Sequence, residues 1–585
     1  MTLLAGPFTL PGVRRNTVRR LWDASPWRHL VGLALLLVVL VPVIGTGSSF
    51  LSDEGAAIVQ ARSLASGRGW IVPHPLPQVD PDGRHYPLVN SEQATEGFVP
   101  FAKHPAYALL LAGAHRLGGV AAMVLLSVAG VVAAAALAGA LVARFDPVLR
   151  RPAIWTVGLA SPLFFDGFLV IGHTLGAALA AGAALCALVA IVDRRPVVAL
   201  AVAPCVAGAV LLRSEAVLFA GALAVVALVA GLRAPSRLPA VLVASAALAS
   251  AVTARVAEAA WLESILGQGA AALDIPNRVG ADDFLRGRLD SLFITWLLPD
   301  YKSSQPFSLL LLVMLTALAI AAVQARSEPA NRMRVLAPAG IAAGAATGAF
   351  VAAPATVVPG LLLAFPAVVA GVLVVRRSLF RDPGVVLAAG TSVVFALAVV
   401  ATQYNSGGTG EWGGRYFALA IPVFVPVLLL ALHRQGRRLE RTTRCGALAA
   451  LVVCSLALTS MALLSVRSSH RYWSGVMDSV KQAHGVAGPG APVMATWSAA
   501  PRYVWPILDR SRWVVTSTAD VGRLRRSFAE LGFDRFLFVS VDVEADRAAL
   551  AGLDVVWSDG PLDHGRRILV VQESTRPGSG ASPAW

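Results

Sequence analysis

The sequence predicts a polytopic α-helical membrane protein of about thirteen transmembrane helices, with a small α/β domain outside the membrane at its C-terminal end. Three observations lead there. The 585-residue chain is 56% hydrophobic and only 14% charged, with a mean hydropathy of +0.68, whereas soluble domains carry roughly a quarter charged residues. Its apolar residues fall in runs of roughly 17 to 25, the helix length that crosses a bilayer. Its arginines gather in alternate short connections between those runs, as the positive-inside rule requires. Such a composition excludes a soluble enzyme, a disordered chain and a collagen-like repeat.

The first element follows Arg14, Arg15, Arg19, Arg20 and Arg28 and comprises the apolar run 30–44. A secretory signal would need a small-residue cleavage site after it. None is convincing, so the run reads as an uncleaved first span with residues 1–29 in the cytoplasm. Further spans are expected at 118–142, 153–170, 175–192, 197–212, 216–232 and 238–254. After a long polar excursion they resume at 306–323, 335–351, 359–375, 385–401, 417–432 and 447–464. The expected inner connections hold Arg144, Arg150 and Arg151; Arg194 and Arg195; Arg233 and Arg237; Arg326, Arg332 and Arg334; Arg376, Arg377 and Arg381; and a last group from Arg434 to Arg444. Topology thus accounts for most of the net charge of +15, which in a soluble chain would suggest nucleic acid. An odd number of spans puts the C-terminus outside.

The transmembrane domain is therefore expected over 30–466, with large outer loops at 47–102 and 255–305. A separate outer domain follows at 467–573 and a disordered tail at 574–585. In the outer domain the segments 493–497, 513–518, 535–541 and 568–571 have strand character, with helices at 520–531 and 545–550 between them. Thr518 or Asp520 is the expected N-cap. Cys186, Cys205, Cys445 and Cys454 lie in or beside apolar runs with no metal-ligand spacing, so they read as small packing residues and no disulfide framework is expected.

The chemistry is expected in the outer loops. Asp53 and Glu54 sit side by side just after the first span. A carboxylate held partly desolvated at the bilayer face can take a proton from an incoming hydroxyl or amine. The plainer alternative is a helix start, with Asp53 as cap and Glu54 favouring the dipole. A second group, Lys103-His104-Pro105 followed by an apolar helix, offers cations at the outer interface for a lipid phosphate, or simple interfacial anchoring. The third is Gly410-Glu411-Trp412-Gly413-Gly414-Arg415-Tyr416 before a late span. There glycines allow close approach, Trp412 offers a face for a sugar ring and Arg415 can donate to a phosphate, or the group is the Gly-rich turn and the interfacial Trp, Tyr and Arg that any outer loop needs. Arg213 with Glu215, and Asp166 with His173, are charges placed at membrane depth, where a functional site is the default hypothesis. His74, His85, Glu92 and Glu96 carry donors for a divalent metal, but in no compact ligand spacing, so no metal site is assigned.

The acidic pair of the first outer loop, the Lys103-His104-Pro105 segment and the Trp-Gly-x-Arg-Tyr-like element together resemble the GT-C superfamily of polytopic glycosyltransferases, which includes protein O-mannosyltransferases and lipid A aminoarabinose transferases. The resemblance implies a bundle that binds a sugar on a polyprenyl phosphate in the cell membrane. It implies Asp53 as the base that deprotonates or orients the acceptor, Glu54 as its neighbour, and Lys103, His104, Arg213 and Arg415 at the donor phosphate. Trp412, Tyr416, Asp166 and His173 would then lie along the sugar and acceptor path. The expected reaction moves a glycosyl group to a polysaccharide, glycolipid or protein outside the cytoplasm. The competing readings are a transporter or lipid flippase, against which the one-sided polar residues and the lack of two equivalent halves argue, and a catalytically silent envelope scaffold.

Overall fold

The structure, a computed structural model, describes residues 26–573 apart from 89–90, 95, 233–235, 268–283, 298–305, 354–357, 403–411, 415, 541, 543–545, 547–549 and 560–566. Among the described residues, eight helices are long and apolar enough to cross a membrane: Pro26–Ile44, Pro105–Val142, His173–Val192, Leu238–Leu266, Pro306–Ser327, Arg332–Ala352, Pro383–Thr402 and Arg441–Ala487. Each contains or overlaps one of the expected spans. In the first, Leu33, Leu37, Val41 and Ile44 form one buried stripe, while Leu35 and Val39 are exposed on the opposite side. That is the division expected when one face packs on protein and the other meets lipid.

The five remaining expected spans are short or interrupted. Arg150–Gly158 stops ahead of Pro162 and is followed by the four-residue helix Leu163–Asp166. A 3-10 turn at Pro196–Ala201 precedes Val202–Leu212, and Phe365 separates Leu361–Ala364 from Pro366–Val374. Ala216–Gly231 and Ile421–Gly436 have 16 residues each, about 24 Å of helix against a hydrocarbon core of about 30 Å. The irregular backbone at 159–172 is almost wholly buried against neighbouring helices, and non-helical chain is tolerated at membrane depth only where protein encloses it or it lines a cavity.

The helix Pro105–Val142 begins earlier than the run 118–142 and bends where that run starts. Gly119 there has φ +65°, a conformation open to glycine at little cost. The bend separates a short first segment from the membrane-length portion. At one end of the bundle the Arg-rich connections tie together: Arg144 pairs with Asp193, His433 lies 3.7 Å from Asp146, and Arg376 donates to the Arg326 carbonyl and to Gln435. Five of the six expected inner loops therefore share one end.

The boundary expected at 467 is not a chain break. Arg441–Ala487 is one helix of 47 residues, about 70 Å long, which leaves the bundle and enters the C-terminal domain, the one expected on the outer side. Its last turns stay helical because Trp473, Val476, Val480 and Ala483 repeat at helical spacing and bury against a sheet. Ahead of that sheet, the first outer loop holds a small hairpin of β1 (Glu92–Ala94) and β2 (Gly97–Val99). The outer domain consists of β3 (Pro492–Ala495), β4 (Arg512–Val515), β5 (Arg535–Ser540), β6 (Leu553–Ser558) and β7 (Arg567–Glu573) in the order β4-β3-β5-β7-β6. β3 runs parallel to β4 and β5, and β7 pairs antiparallel with β5 and β6.

β6 was not expected from sequence. It is an edge strand with alternating exposure, and its polar Asp554 and Ser558 dilute the apolar signal. The helix expected at 520–531 is present as Val521–Glu530, preceded by a 3-10 turn at Thr518–Asp520. Most of the segment 545–550, the tail 574–585 and residues 1–25 lie outside the described residues. Leu76 and Val79 of the first outer loop fill the core beneath β3, β4 and β5, beside Val521, Leu524 and Phe528. His85 is bonded to Val515 at the end of β4 both through its carbonyl and through Nδ1. Loop and outer domain are thus one packed body.

Candidate active site

The site starts from the helix Ser52–Ala65, which follows the first span after a short turn. Glu54 anchors its start: Oε1 accepts the N–H groups of Phe50 at 2.9 Å and Leu51 at 2.7 Å. Its Oε2 accepts the Val170 N–H at 2.7 Å from the distant 159–172 segment. This corrects the simple helix-start alternative, because the acid that caps is Glu54, reaching back from the first turn, whereas Asp53 projects elsewhere. Burial pushes the Glu54 carboxyl up to about 7, the neighbouring Asp53 charge adds to the rise, and the three N–H donors oppose it.

Asp53 is released for other work. Lys103 Nζ donates to its Oδ2 at 3.0 Å, and an Arg502 terminal nitrogen lies 3.5 Å from Oδ1. Asp53 is 20% exposed and Lys103 50% exposed, so this pair is open to solvent. Beside them lies a cavity of about 100 Å³ lined by Asp53, Lys103, His104, Tyr107, Arg213 and Tyr416, among others. His104 is held by Glu258 at 3.0 Å, and Arg255 pairs with the same carboxylate. Arg213 bonds Glu215 through two nitrogens, at 2.9 and 2.7 Å. Arg213 is thus ion-paired with Glu215 and part of the cavity wall at once.

Of the residues picked from sequence, Asp53, Lys103, His104, Arg213 and Tyr416 converge on this cavity. Asp166 and His173 are buried 3.5 Å apart, next to its Val170–Gly172 wall but not among its lining residues. Trp412 requires a correction. It is 3% exposed and stacks on Phe165 with ring centroids 5.9 Å apart, so its ring packs in the core and is not offered to a sugar. Arg415 lies outside the described residues. Among the described residues no three His, Cys, Asp or Glu side chains form a metal-binding group. His74 sits 3.0 Å from Asp80 instead, while His85 bonds Val515 and Arg523.

Two participants were missed. Glu258 lies past the end of the span expected at 238–254, on a helix that continues to Leu266; the i,i+3 spacing of Arg255 and Glu258 was the available signal. Arg502 comes from the outer domain, 449 positions from Asp53, and no local pattern marks it. Its contact is close because Gly55 allows it: a Cβ at position 55 would lie 1.7 Å from the Arg502 carbonyl oxygen. Gly55→Ala should therefore push the outer domain off this helix at about 1–3 kcal/mol, read as a lower melting temperature and new protease cleavage near residue 490. Unchanged melting and cleavage would show that the contact is slack.

No family model matches the chain, and no curated protein matches it. Among solved structures it is similar to the crystal structure of ArnT from Cupriavidus metallidurans in the apo state, at TM-score 0.45 and 17% identity over 93% of this chain and 97% of that one. The same protein bound to undecaprenyl phosphate gives TM-score 0.44 and 17% identity, over 94% and 98%. The archaeal oligosaccharyltransferase AglB from Archaeoglobus fulgidus, in complex with an inhibitory peptide and a dolichol-phosphate, gives TM-score 0.48 and 13% identity over 91% and 70%.

Proposed function

We propose that this chain is a multi-pass membrane glycosyltransferase of the GT-C kind, which moves a hexosyl or pentosyl group from a polyprenyl phosphate to an acceptor on the outer face of the cell membrane. The observation that carries the reading is the meeting of one carboxylate, Asp53, with Lys103, His104 and Arg213 around a single cavity at one end of an apolar bundle. The opposite end, where the arginine-rich loops gather, is the cytoplasmic side by the positive-inside rule.

In the reaction an acceptor hydroxyl oxygen attacks the anomeric carbon while the bond from that carbon to the phosphate oxygen breaks. The hydroxyl proton passes to Asp53. The polyprenyl phosphate leaves with the bonding electrons, and its charge develops beside Lys103 and Arg213. Arg213 is buried and bonded to Glu215, so it stabilises such charge better than the same group in bulk water, while the half-exposed Lys103 can turn to the phosphate as it leaves. The acceptor is a cell-envelope polysaccharide, a glycolipid or a protein.

The test is mass spectrometry of envelope glycans and polyprenyl-phosphate sugars in a deletion strain complemented with the wild-type chain or with Asp53→Asn. The expected result is accumulated donor and a glycan short of one sugar, corrected only by the wild type. Correction by both forms would point to transport or scaffolding instead.

A further inference from the structure

We propose that Arg502 is a positioning residue for Asp53, so that the outer domain completes the catalytic unit; this rests on the reading of Asp53 as the base. Arg502 sits on the four-residue helix Ala500–Tyr503, whose backbone abuts Gly55. The residue is 4% exposed. One terminal nitrogen reaches Asp53 Oδ1 and Ser52 Oγ at 3.5 Å each, while the buried Nε has no hydrogen-bond partner among the described residues.

A guanidinium so placed is costly as mere packing. Burying a cation is unfavourable unless an anion faces it, and burial pushes the group below its usual range while Asp53 opposes that change. An apolar side chain would dock the two surfaces at lower cost, so the charge needs another explanation. Asp53 supplies it. The carboxylate is held at both oxygens, by Lys103 on Oδ2 at the cavity and by Arg502 on Oδ1 from the outer domain. Lys103 is half exposed and free to change partner when an anion arrives, whereas Arg502 is enclosed. The enclosed cation therefore fixes the plane of the carboxylate during the step in which Oδ2 takes the acceptor proton. Loss of such support lets a reacting group drift from its productive position.

The test uses the full chain in lipid nanodiscs. The donor is the polyprenyl-phosphate sugar extracted from the deletion strain, and the acceptor is that strain's envelope fraction. Arg502→Met keeps length and apolar packing but removes the charge; it should lower kcat roughly 10- to 100-fold, the worth of one charge-assisted hydrogen bond, with KM for the donor within about two-fold of wild type. Arg502→Lys restores the charge and should recover most of the rate. Melting temperatures of both variants are measured alongside. Full activity in Arg502→Met overturns the proposal, as does equal loss in the Met and Lys variants accompanied by early melting, which would make Arg502 a docking residue only. These outcomes are separable from failure of the functional reading: that failure shows as full activity in Asp53→Asn, or as no transfer by the wild type.

Discussion

Asp53→Asn should reduce transfer by roughly 10²- to 10⁴-fold, the usual contribution of a positioned general base, while the protein stays folded and inserted in the membrane. The amide has the shape of the carboxylate, and its oxygen can still accept from Lys103. What it lacks is the negative charge and the capacity to take a proton. The two cations on Asp53 would then face a neutral group, but Lys103 is half exposed and keeps its hydration, so only the enclosed Arg502 loses a needed partner. A fall in melting temperature follows from that, because the enclosed guanidinium loses its anion, but loss of membrane insertion does not. Initial rates, melting temperature and membrane fractionation together decide the matter, and a rate within a few-fold of wild type would remove Asp53 from the chemistry. Asp53→Glu is a useful companion, since it keeps the charge while displacing it by a methylene, and a partial rate would show that position matters as well as charge.

The long spans were legible because lipid imposes one requirement, some twenty apolar residues, that any reading of the chain detects. The short and broken segments were less so. At 153–170 the apolar run continues through Pro162, and hydropathy alone cannot show that the chain stops being helical where protein encloses it. Lys103 and Arg213 were legible as charges out of place in an apolar chain. Trp412 misled because an aromatic beside glycines has the same signature whether it faces a sugar or Phe165. The roles of Asp53 and Glu54 were blurred for a local reason: both lie in the first helical turn, and only the fold reveals that one turns back to the backbone and the other to Lys103. Arg502 was beyond reach, since its significance comes from the docking of a domain far along the chain.

Glu54→Ala should cost about 3–5 kcal/mol of stability, because it strands three N–H donors at once: the buried one on Val170 costs roughly 1–3 kcal/mol when left unpaired, and the partly buried ones on Phe50 and Leu51, which water can still reach, about 1 kcal/mol each. Two of those donors, on Phe50 and Leu51, start the helix that carries Asp53. The third, on Val170, joins that helix to the cavity wall. Glu54→Gln should be milder: its amide oxygen can serve Phe50 and Leu51, but its NH2 group then confronts the Val170 N–H, so one contact is lost. A pH measurement gives the same residue a second, independent signature. Its carboxyl is raised from the ordinary 4.5 to about 7 by burial, so the folded chain keeps this proton at pH values where the unfolded chain has released it. The resulting stabilisation is fully present below about pH 4.5 and declines as pH rises to about 7, after which this group contributes no further slope. Other groups titrate as well, so the comparison is between melting curves of wild type and Glu54→Gln in the same buffers. The difference between them should narrow steadily from pH 4.5 to 7 and level off above it. A constant difference across that window would mean that Glu54 is ionised throughout, with its three N–H donors outweighing burial.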